Sequence, residues 1–208
     1  MLSMPKRGLY AITPDGKTTA EILAFTEAVL KGGAKVLQYR EKNQHDKTDL
    51  AKQLFKLCHT HNVPFIINDN IELAEIIGAD GVHLGADDGS ISKARQRLGE
   101  SAIIGVSCYN SLERAIEAEK QGATYVAFGR FFTSNSKPLA ASAEIGTLTA
   151  AKKVLTLPIV AIGGILPENG ASLLNAGADL VAVIGGLDTE NPAFSAQNYS
   201  ALFSQGSH

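Results

Sequence analysis

One dipeptide recurs at the same point of a repeating pattern along the whole chain. Gly-Ala ends an apolar helical stretch four times, and each time a short apolar or β-branched run follows. The four pairs are Gly33-Ala34, Gly78-Ala79, Gly122-Ala123 and Gly177-Ala178. Glycine adopts the left-handed backbone that closes a helix, and alanine permits a tight turn into a buried strand. Each pair therefore predicts a helix followed at once by a strand.

A second set of short apolar runs lies between these units. The runs lack polar alternation, which is typical of strands that are buried on both faces. They are residues 8–12, 64–67, 102–106 and 158–162. Together the two sets give eight strands, each followed by a helix or a helix candidate. Strict alternation implies parallel strands, and eight units favour a closed (β/α)8 TIM barrel over an open doubly wound sheet.

We expect residues 1–208 to form a single barrel domain with short loops. A weak C-terminal helix and a frayed tail are expected after about residue 188, where Pro, Ser and Gly are frequent. Two helix starts are indicated by capping-box patterns, Thr18–Glu21 and Asn110–Glu113.

Composition excludes several classes of protein. The formal net charge is -2, and no basic stripe indicates a nucleic-acid partner. No apolar run is long enough to span a bilayer, and the N-terminus lacks the apolar core of a signal peptide. The two cysteines, Cys58 and Cys108, lack metal-site spacing, so we expect a reduced, cytoplasmic protein. A homodimer stays open as an alternative to a monomer.

Polar residues follow the predicted strands at their C-terminal ends, where a barrel of this kind carries its chemistry. After strand 2, Gln38, Arg40 and Lys42 alternate along the chain and therefore share one face. Arginine can bind phosphate oxygens in a bidentate manner, and lysine adds a point charge. This face is suited to an anion with several oxygens, although a solvated charged loop would look the same in sequence.

Carboxylates follow strands 3 and 4. Asn68 and Asp69 end strand 3, and Asp87 and Asp88 follow strand 4. Carboxylates from neighbouring strands repel each other unless a cation lies between them, and Mg²⁺ typically binds one or two carboxylates plus substrate phosphates. These residues therefore suggest a metal-bound polyphosphate, although Asp69 or Asn70 is also placed to cap the next helix.

Double glycines end strands 7 and 8, at Gly163-Gly164 and Gly185-Gly186. Barrels often bind phosphate in these two loops on backbone N–H groups, so we expect a second anion site there. His83 lies on strand 4, where it is either a base or a buried structural histidine.

Several of these runs, taken in order, resemble the thiamine-phosphate synthase family over nearly the whole chain. The most specific are residues 38–42, 66–69, 78–85, 105–107, 125–129 and 161–165. The family joins a hydroxymethylpyrimidine diphosphate to a thiazole phosphate, which gives thiamine phosphate and pyrophosphate. The resemblance implies a Mg²⁺-dependent transferase that acts on these two small phosphorylated substrates.

The resemblance also implies roles for individual residues. The side chains expected to hold the diphosphate are Gln38, Arg40, Lys42 and Asn68, with Ser107 near the leaving pyrophosphate. The residues expected to hold Mg²⁺ are Asp69 and Asp88. The positions of a phosphate-contacting mobile loop are Ser134, Ser136 and Lys137, and those bordering the thiazole phosphate are Gly164, Ile184 and Gly185. Those expected to take part in catalysis are Arg40, Lys42, Ser107 and Lys137.

The sequence departs from the usual family pattern at three places. The mobile loop reads Thr133-Ser134-Asn135-Ser136-Lys137, Ala86 replaces a usual glutamine, and Gly185 replaces a usual serine. These changes bear on affinity more than on reaction type. A thiazole tautomerase-like relative, a phosphosugar isomerase or epimerase barrel, and a catalytically silent phosphate-binding barrel stay open as alternatives.

Overall fold

A computed structural model describes residues 1–40, 48–85, 89–133 and 142–204. Within these ranges eight parallel strands close into a barrel in chain order. The strands are β1 (Gly8–Ile12), β2 (Val36–Tyr39), β3 (Phe65–Asn68), β4 (Gly81–Leu84), β5 (Ile103–Tyr109), β6 (Tyr125–Gly129), β7 (Ile159–Ile162) and β8 (Leu180–Val183). The predicted barrel class is therefore confirmed.

Each strand is followed by a helix that packs on the outside of the barrel. The helices are α1 (Thr19–Lys31), α2 (Thr48–Thr60), α3 (Ile71–Ile77), α4 (Ile91–Leu98), α5 (Leu112–Lys120), α6 (Ile145–Val154), α7 (Pro167–Asn175) and α8 (Pro192–Ala201). Among the described ranges, none of these helices has the length and apolarity needed to cross a bilayer.

The Gly-Ala pairs lie where the repeat predicted, between α1, α3, α5 or α7 and the strand that follows. All four glycines have positive φ, from 69° at Gly78 to 116° at Gly177, which an L-residue with a side chain adopts only with strain. In three of the four units the next residue also fastens the preceding strand. Asp80 accepts from Phe65 N at 2.9 Å, Thr124 from Ile104 N at 3.0 Å and Asp179 from Ile159 N at 2.9 Å.

Strand residues alternate between two apolar cores. One set, which includes Tyr10, Val36, Ile66 and Tyr125, fills the barrel interior. The other set packs between the strands and the helices, and Tyr39 belongs to it. Because Gln38 lies between Leu37 and Tyr39 on β2, it points into the interior, as the period-2 pattern predicts.

Helix starts agree with the sequence in one place and differ in another. Thr18 and Glu21 form the predicted capping box at α1. The box predicted from Asn110 is wrong, because Ser111 caps α5 by accepting from Arg114 N at 3.1 Å. The Asn110 side chain instead accepts from Glu144 N and Thr147 Oγ1, which ties the start of α6 to the end of β5.

The last helix closes the outer layer over the join between β8 and β1. Tyr199 is buried, and its hydroxyl donates to the Ile165 carbonyl at 2.9 Å. Ser200 Oγ donates to the Gly32 carbonyl at 3.0 Å. A side chain at Gly32 would overlap Ala193 and Ala196, so glycine at this position lets α1 and α8 pack closely.

Candidate active site

A cavity of about 760 Å³ opens at the carboxyl ends of the strands. Side chains or backbone from all eight strand ends line it, which is the expected location of a site in this fold. The predicted site residues that line it are Gln38, Arg40, Asn68, Asp69, Ser107, Gly164, Ile184 and Gly185. The other predicted site residues, Lys42, Asp88, Ser134, Ser136 and Lys137, lie outside the described residues.

Arg40 is held at the rim by the loop that follows β1. Its Nη1 lies 2.6 Å from Asp15 Oδ2, and its backbone N–H donates to Thr13 Oγ1 at 2.9 Å. The Thr13 hydroxyl donates in turn to the Arg40 carbonyl at 3.1 Å. The guanidinium is therefore positioned by a carboxylate that the sequence pattern did not single out, although Pro14-Asp15 directly follows the first strand.

The end of β3 presents an amide and a carboxylate to the same cavity. Asn70 caps α3 by accepting from Leu73 N at 2.9 Å, so the cap function falls to Asn70 and Asp69 is not needed for it. Asp69 has a left-handed backbone with φ 62°, and its N–H donates to the His83 carbonyl at 2.8 Å. The Asn68 amide donates to the Asp69 carboxylate.

A line of hydrogen bonds crosses the floor of the cavity. Gln38 Nε2 donates to Tyr10 OH at 3.0 Å, and Tyr10 OH lies 2.7 Å from Tyr125 OH. His83 Nδ1 lies 2.9 Å from Tyr125 OH, and His83 Nε2 lies 2.9 Å from Ser107 Oγ. His83 is thus embedded in the floor with both ring nitrogens in hydrogen bonds. Sequence spacing did not indicate Tyr10 or Tyr125, which are apolar-strand positions in the linear pattern.

The double glycines that follow β7 and β8 differ in what surrounds them. Gly163 and Gly164 have φ values of 104° and 63°, and a Cβ on either would overlap Arg130, Phe132 or Thr133 in the loop after β6. Their packing against this loop is enough to require glycine, without a ligand. A Cβ on Gly185 meets no atom within 4 Å, whereas one on Gly186 would overlap the Tyr199 hydroxyl.

Backbone donors line this side of the cavity. Leu187 N and Asp188 N bond to the carbonyls of Ile184 and Gly185. Within the described part of the chain, the N–H groups of Gly185 and Gly186 donate to no protein acceptor. Such N–H groups at a barrel rim are suited to an anion.

Cys108 follows Ser107, but its side chain is not among those that line the cavity. The thiol is buried and contacts the Val106 carbonyl, and burial raises its pKa to about 12. It is therefore a protonated core side chain at neutral pH, as expected for a cysteine without an adjacent base.

The closed parallel barrel and its polar cavity at the carboxyl ends of the strands define the class of (β/α)8-barrel enzymes. Within that class the chain belongs to the thiamine monophosphate synthase family, whose sequence model matches residues 9–187.

Individual relatives agree with this assignment. The chain is 50% identical over 185 residues to the thiamine-phosphate synthase of Methylococcus capsulatus, covering 88% of this chain and 83% of that one. It is 50% identical over 205 residues to that of Chromobacterium violaceum, covering 96% and 99%. Among solved structures, it is similar to a thiamine phosphate pyrophosphorylase from Pyrococcus furiosus, with a TM-score of 0.86, 31% identity and 96% of each chain covered.

Proposed function

We propose that this protein is a transferase of thiamine biosynthesis that condenses a hydroxymethylpyrimidine diphosphate with a thiazole phosphate, releasing pyrophosphate and forming thiamine phosphate. One observation carries the proposal beyond family membership. Polar groups of kinds that are suited to anions line two separate sides of a single cavity, at β2–β3 and at β7–β8. The barrel order places β1 between them on one side and β4–β6 on the other. A cavity with two such sides is suited to two phosphorylated substrates.

The β2–β3 side is the proposed diphosphate site. Arg40 supplies a guanidinium that Asp15 positions, and Asn68 adds an amide donor. From the sequence alone, Lys42 is assigned to the diphosphate, and a mobile loop that contacts the phosphates is assigned to Ser134, Ser136 and Lys137. The β7–β8 side, with Gly164, Ile184 and Gly185, is the proposed site of the thiazole phosphate.

The donor chemistry near β3 fits a hard divalent cation. Asp69 offers carboxylate oxygens at the cavity wall, and oxygen ligands are those that Mg²⁺ prefers. We assign Asp69 and, from the sequence, Asp88 as its ligands. When bound, Mg²⁺ would neutralise negative charge on the departing pyrophosphate.

The reaction proposed is dissociative, and it asks little of the protein as a nucleophile or base. The amino group of the pyrimidine ring stabilises the cation that forms when pyrophosphate leaves, and the thiazole nitrogen then attacks that cation. Arg40 and Ser107 line the cavity, and we assign to them the stabilisation of the charge that grows on the leaving group, to which Lys42 and Lys137 would add.

Water must be kept from the cation until the thiazole attacks. Ile12, Val160, Ile162 and Ala182 supply an apolar wall to the cavity. The segment that carries Lys137 is proposed as the cover over the mouth, from its resemblance to the family's mobile loop. Both cysteines are buried free thiols between the strands and the helices, which supports a reducing, cytoplasmic location. A homodimer stays a prediction.

The deciding experiment supplies the purified protein with both phosphorylated precursors and measures thiamine phosphate and pyrophosphate. We expect equal amounts of the two products with Mg²⁺ and none with EDTA. Asp69→Ala should lose activity, while Glu72→Ala, which removes an exposed carboxylate three residues away in the first turn of α3, should keep it. Lys137→Ala should slow turnover without lowering the melting temperature.

Each alternative has its own outcome. A tautomerase would isomerise a thiazole precursor in the absence of the pyrimidine diphosphate, and an isomerase would convert a sugar phosphate. A silent barrel would bind the phosphates without turnover. Product formation that persists in EDTA after Asp69→Ala would refute the metal assignment while leaving the reaction in place.

A further inference from the structure

The hydrogen-bonded line in the cavity floor contains three residues to which the proposed reaction gives no role. Tyr10, Tyr125 and His83 are 1%, 0% and 9% exposed, and they connect Gln38 to Ser107. Both end residues are assigned to the diphosphate. The inner residues therefore join two substrate-contacting groups through the barrel interior, and the direction of their hydrogen bonds determines what Ser107 offers to the cavity.

The direction is fixed first at Gln38. An amide nitrogen only donates, so Tyr10 OH accepts from Gln38 Nε2. Burial raises the pKa of both Tyr10 and Tyr125, so both phenols keep their protons. The Tyr10 proton then goes to its other hydrogen-bonded neighbour, the Tyr125 hydroxyl.

The hydrogen bonds of the Tyr125 hydroxyl determine which nitrogen of His83 carries the proton. Tyr125 accepts from Tyr10, and its own proton goes to His83 Nδ1. If Nδ1 carried a proton instead, both neighbours of the Tyr125 hydroxyl would be donors, and its proton would be left unsatisfied at a fully buried position. Nδ1 is therefore the acceptor, and the single proton of a neutral imidazole is on Nε2.

The line ends at Ser107, whose hydroxyl proton takes part in none of the hydrogen bonds within the line. His83 Nε2–H donates to Ser107 Oγ, so the Ser107 hydroxyl proton is directed to a group in the cavity. A donor is the favourable partner for an anionic phosphate oxygen. With Gln38 turned to present its amide oxygen, every bond would reverse, and Ser107 would turn its lone pairs toward an anion.

We propose that Tyr10, Tyr125 and His83 are positioning residues that hold His83 in its neutral Nε2–H tautomer and so make Ser107 a one-way hydroxyl donor to the substrate's diphosphate. The part that concerns the substrate rests on the proposed function. The His83 tautomer and the direction of the hydrogen bonds are properties of the protein without ligands, and they do not depend on the proposed function.

The tautomer is measured directly in the full-length protein without ligands. Histidine is labelled with ¹⁵N, long-range ¹H–¹⁵N correlations are recorded, and His83→Asn identifies the His83 signals. We expect a protonated Nε2 and an unprotonated Nδ1. A protonated Nδ1, in either a neutral or a charged ring, would overturn the proposal.

Two tyrosine variants provide the matched comparison. Tyr125→Phe removes the donor to Nδ1, so the fraction of the Nδ1–H form should rise. Tyr199→Phe also removes a buried, hydrogen-bonded hydroxyl, but it lies outside the line and should leave the His83 signals unchanged. Equal spectra for the two variants would contradict the assigned role.

Kinetics test whether the line serves the reaction. Tyr125→Phe should lower kcat by roughly tenfold with little change in KM, less than the roughly 10²–10³-fold loss that follows removal of a direct donor. In Ser107→Ala the same change should cost nothing further, because the two residues act as a unit. Independent, multiplying losses would overturn the coupling. Absence of thiamine phosphate in the wild type would instead refute the proposed function, and the tautomer measurement would still stand.

Discussion

Asp69 has a strained backbone, so the effect of its backbone on stability can be measured apart from the effect of its carboxylate on activity. Asp69 is one of three non-glycine residues with positive φ among the described residues, at 62°. Residues with such backbones are strained and are concentrated at functional sites. Asn62, at 54° in the turn after α2, has the same backbone without a place in the cavity. A comparison of Asp69 with Asn62 therefore distinguishes the effect of a strained backbone on stability from the effect of a cavity side chain on activity.

Asp69→Gly should remove activity while leaving stability unchanged or raised by up to about 1 kcal/mol, because glycine adopts positive φ without strain. Asn62→Gly should have the same small effect on stability and none on turnover. Denaturant unfolding and the product assay measure the two quantities. Full activity in Asp69→Gly would show that its carboxylate is not required.

Neighbouring glycines after β8 should respond in opposite ways. Gly185→Ala meets open space and should leave the melting temperature unchanged, whereas Gly186→Ala would overlap the Tyr199 hydroxyl and displace α8. Overpacking of this kind costs about 1–3 kcal/mol, so Gly186→Ala should unfold at lower denaturant concentration. Equal stabilities would mean that α8 accommodates the added methyl group.

The predictability of individual site residues depends on how far apart their partners lie in the chain. Gln38 and Arg40 were predictable because period-2 alternation places both on one face of β2. The contact of Arg40 with Asp15 spans 25 residues, and that of Tyr10 with Tyr125 spans 115. Such contacts exist only after the barrel has closed, so local patterns carry no signal for them.

At the scale of the elements, the residue after three of the four Gly-Ala pairs accepts a hydrogen bond from the first part of the preceding strand and so helps to align neighbouring strands. Asp80 does so most extensively, since its carboxylate accepts from Phe65 N, from Leu2 N at 2.6 Å and contacts His59 Nε2 at 2.8 Å. It joins β3, α2 and the N-terminal segment beneath the barrel. His59 of α2 is thus part of this connection.

Asp80→Ala should destabilise the fold by about 2–4 kcal/mol, because it leaves a buried Phe65 N–H unsatisfied and removes hydrogen bonds to a charged acceptor. Thr124→Ala removes only a neutral acceptor from the corresponding place and should cost about 1 kcal/mol. Urea unfolding measures both. Asp80 lies far from the cavity lining, so kcat should be unchanged at temperatures where the variant is folded. A smaller loss for Asp80→Ala than for Thr124→Ala would contradict this ranking.

The positions of the strands and helices were predictable where the same residue pattern repeats along the chain. They were less predictable where contacts with a distant element set the end of a strand or the cap of a helix. The strand positions followed from Gly-Ala punctuation and apolar runs. The apolar run predicted this strand over residues 102–106, but β5 continues to Tyr109 through a register shift against β6. The capping pattern at Asn110 failed for a related reason, because that side chain bonds to α6. Both differences arise from pairing with a distant element.

At the scale of the whole molecule, the join between the first and last units connects the stability of the barrel to its cavity. β1 pairs with β8 over four residues, and α8 packs against α1 outside that join. Tyr10 of β1 lies in the cavity floor, and Ile184 to Gly186 follow β8 at its rim. Ligands held at the mouth therefore contact elements from both ends of the chain, and binding should stabilise the fold as a unit.

Pyrophosphate with Mg²⁺ should raise the melting temperature of the wild type, since a ligand that binds only the folded state at 100 times its Kd adds about 2.7 kcal/mol. For a chain of this size that corresponds to roughly 5–10 °C. Asp69→Ala should lose most of the shift, as should EDTA, because both remove the cation's contribution. Asp80→Asn provides the control: it should melt at a lower temperature than the wild type but keep the full ligand-induced shift, because its contacts lie beneath the barrel. A shift of equal size in Asp69→Ala with EDTA would place the pyrophosphate away from the β3 end of the cavity and remove the basis for a metal there.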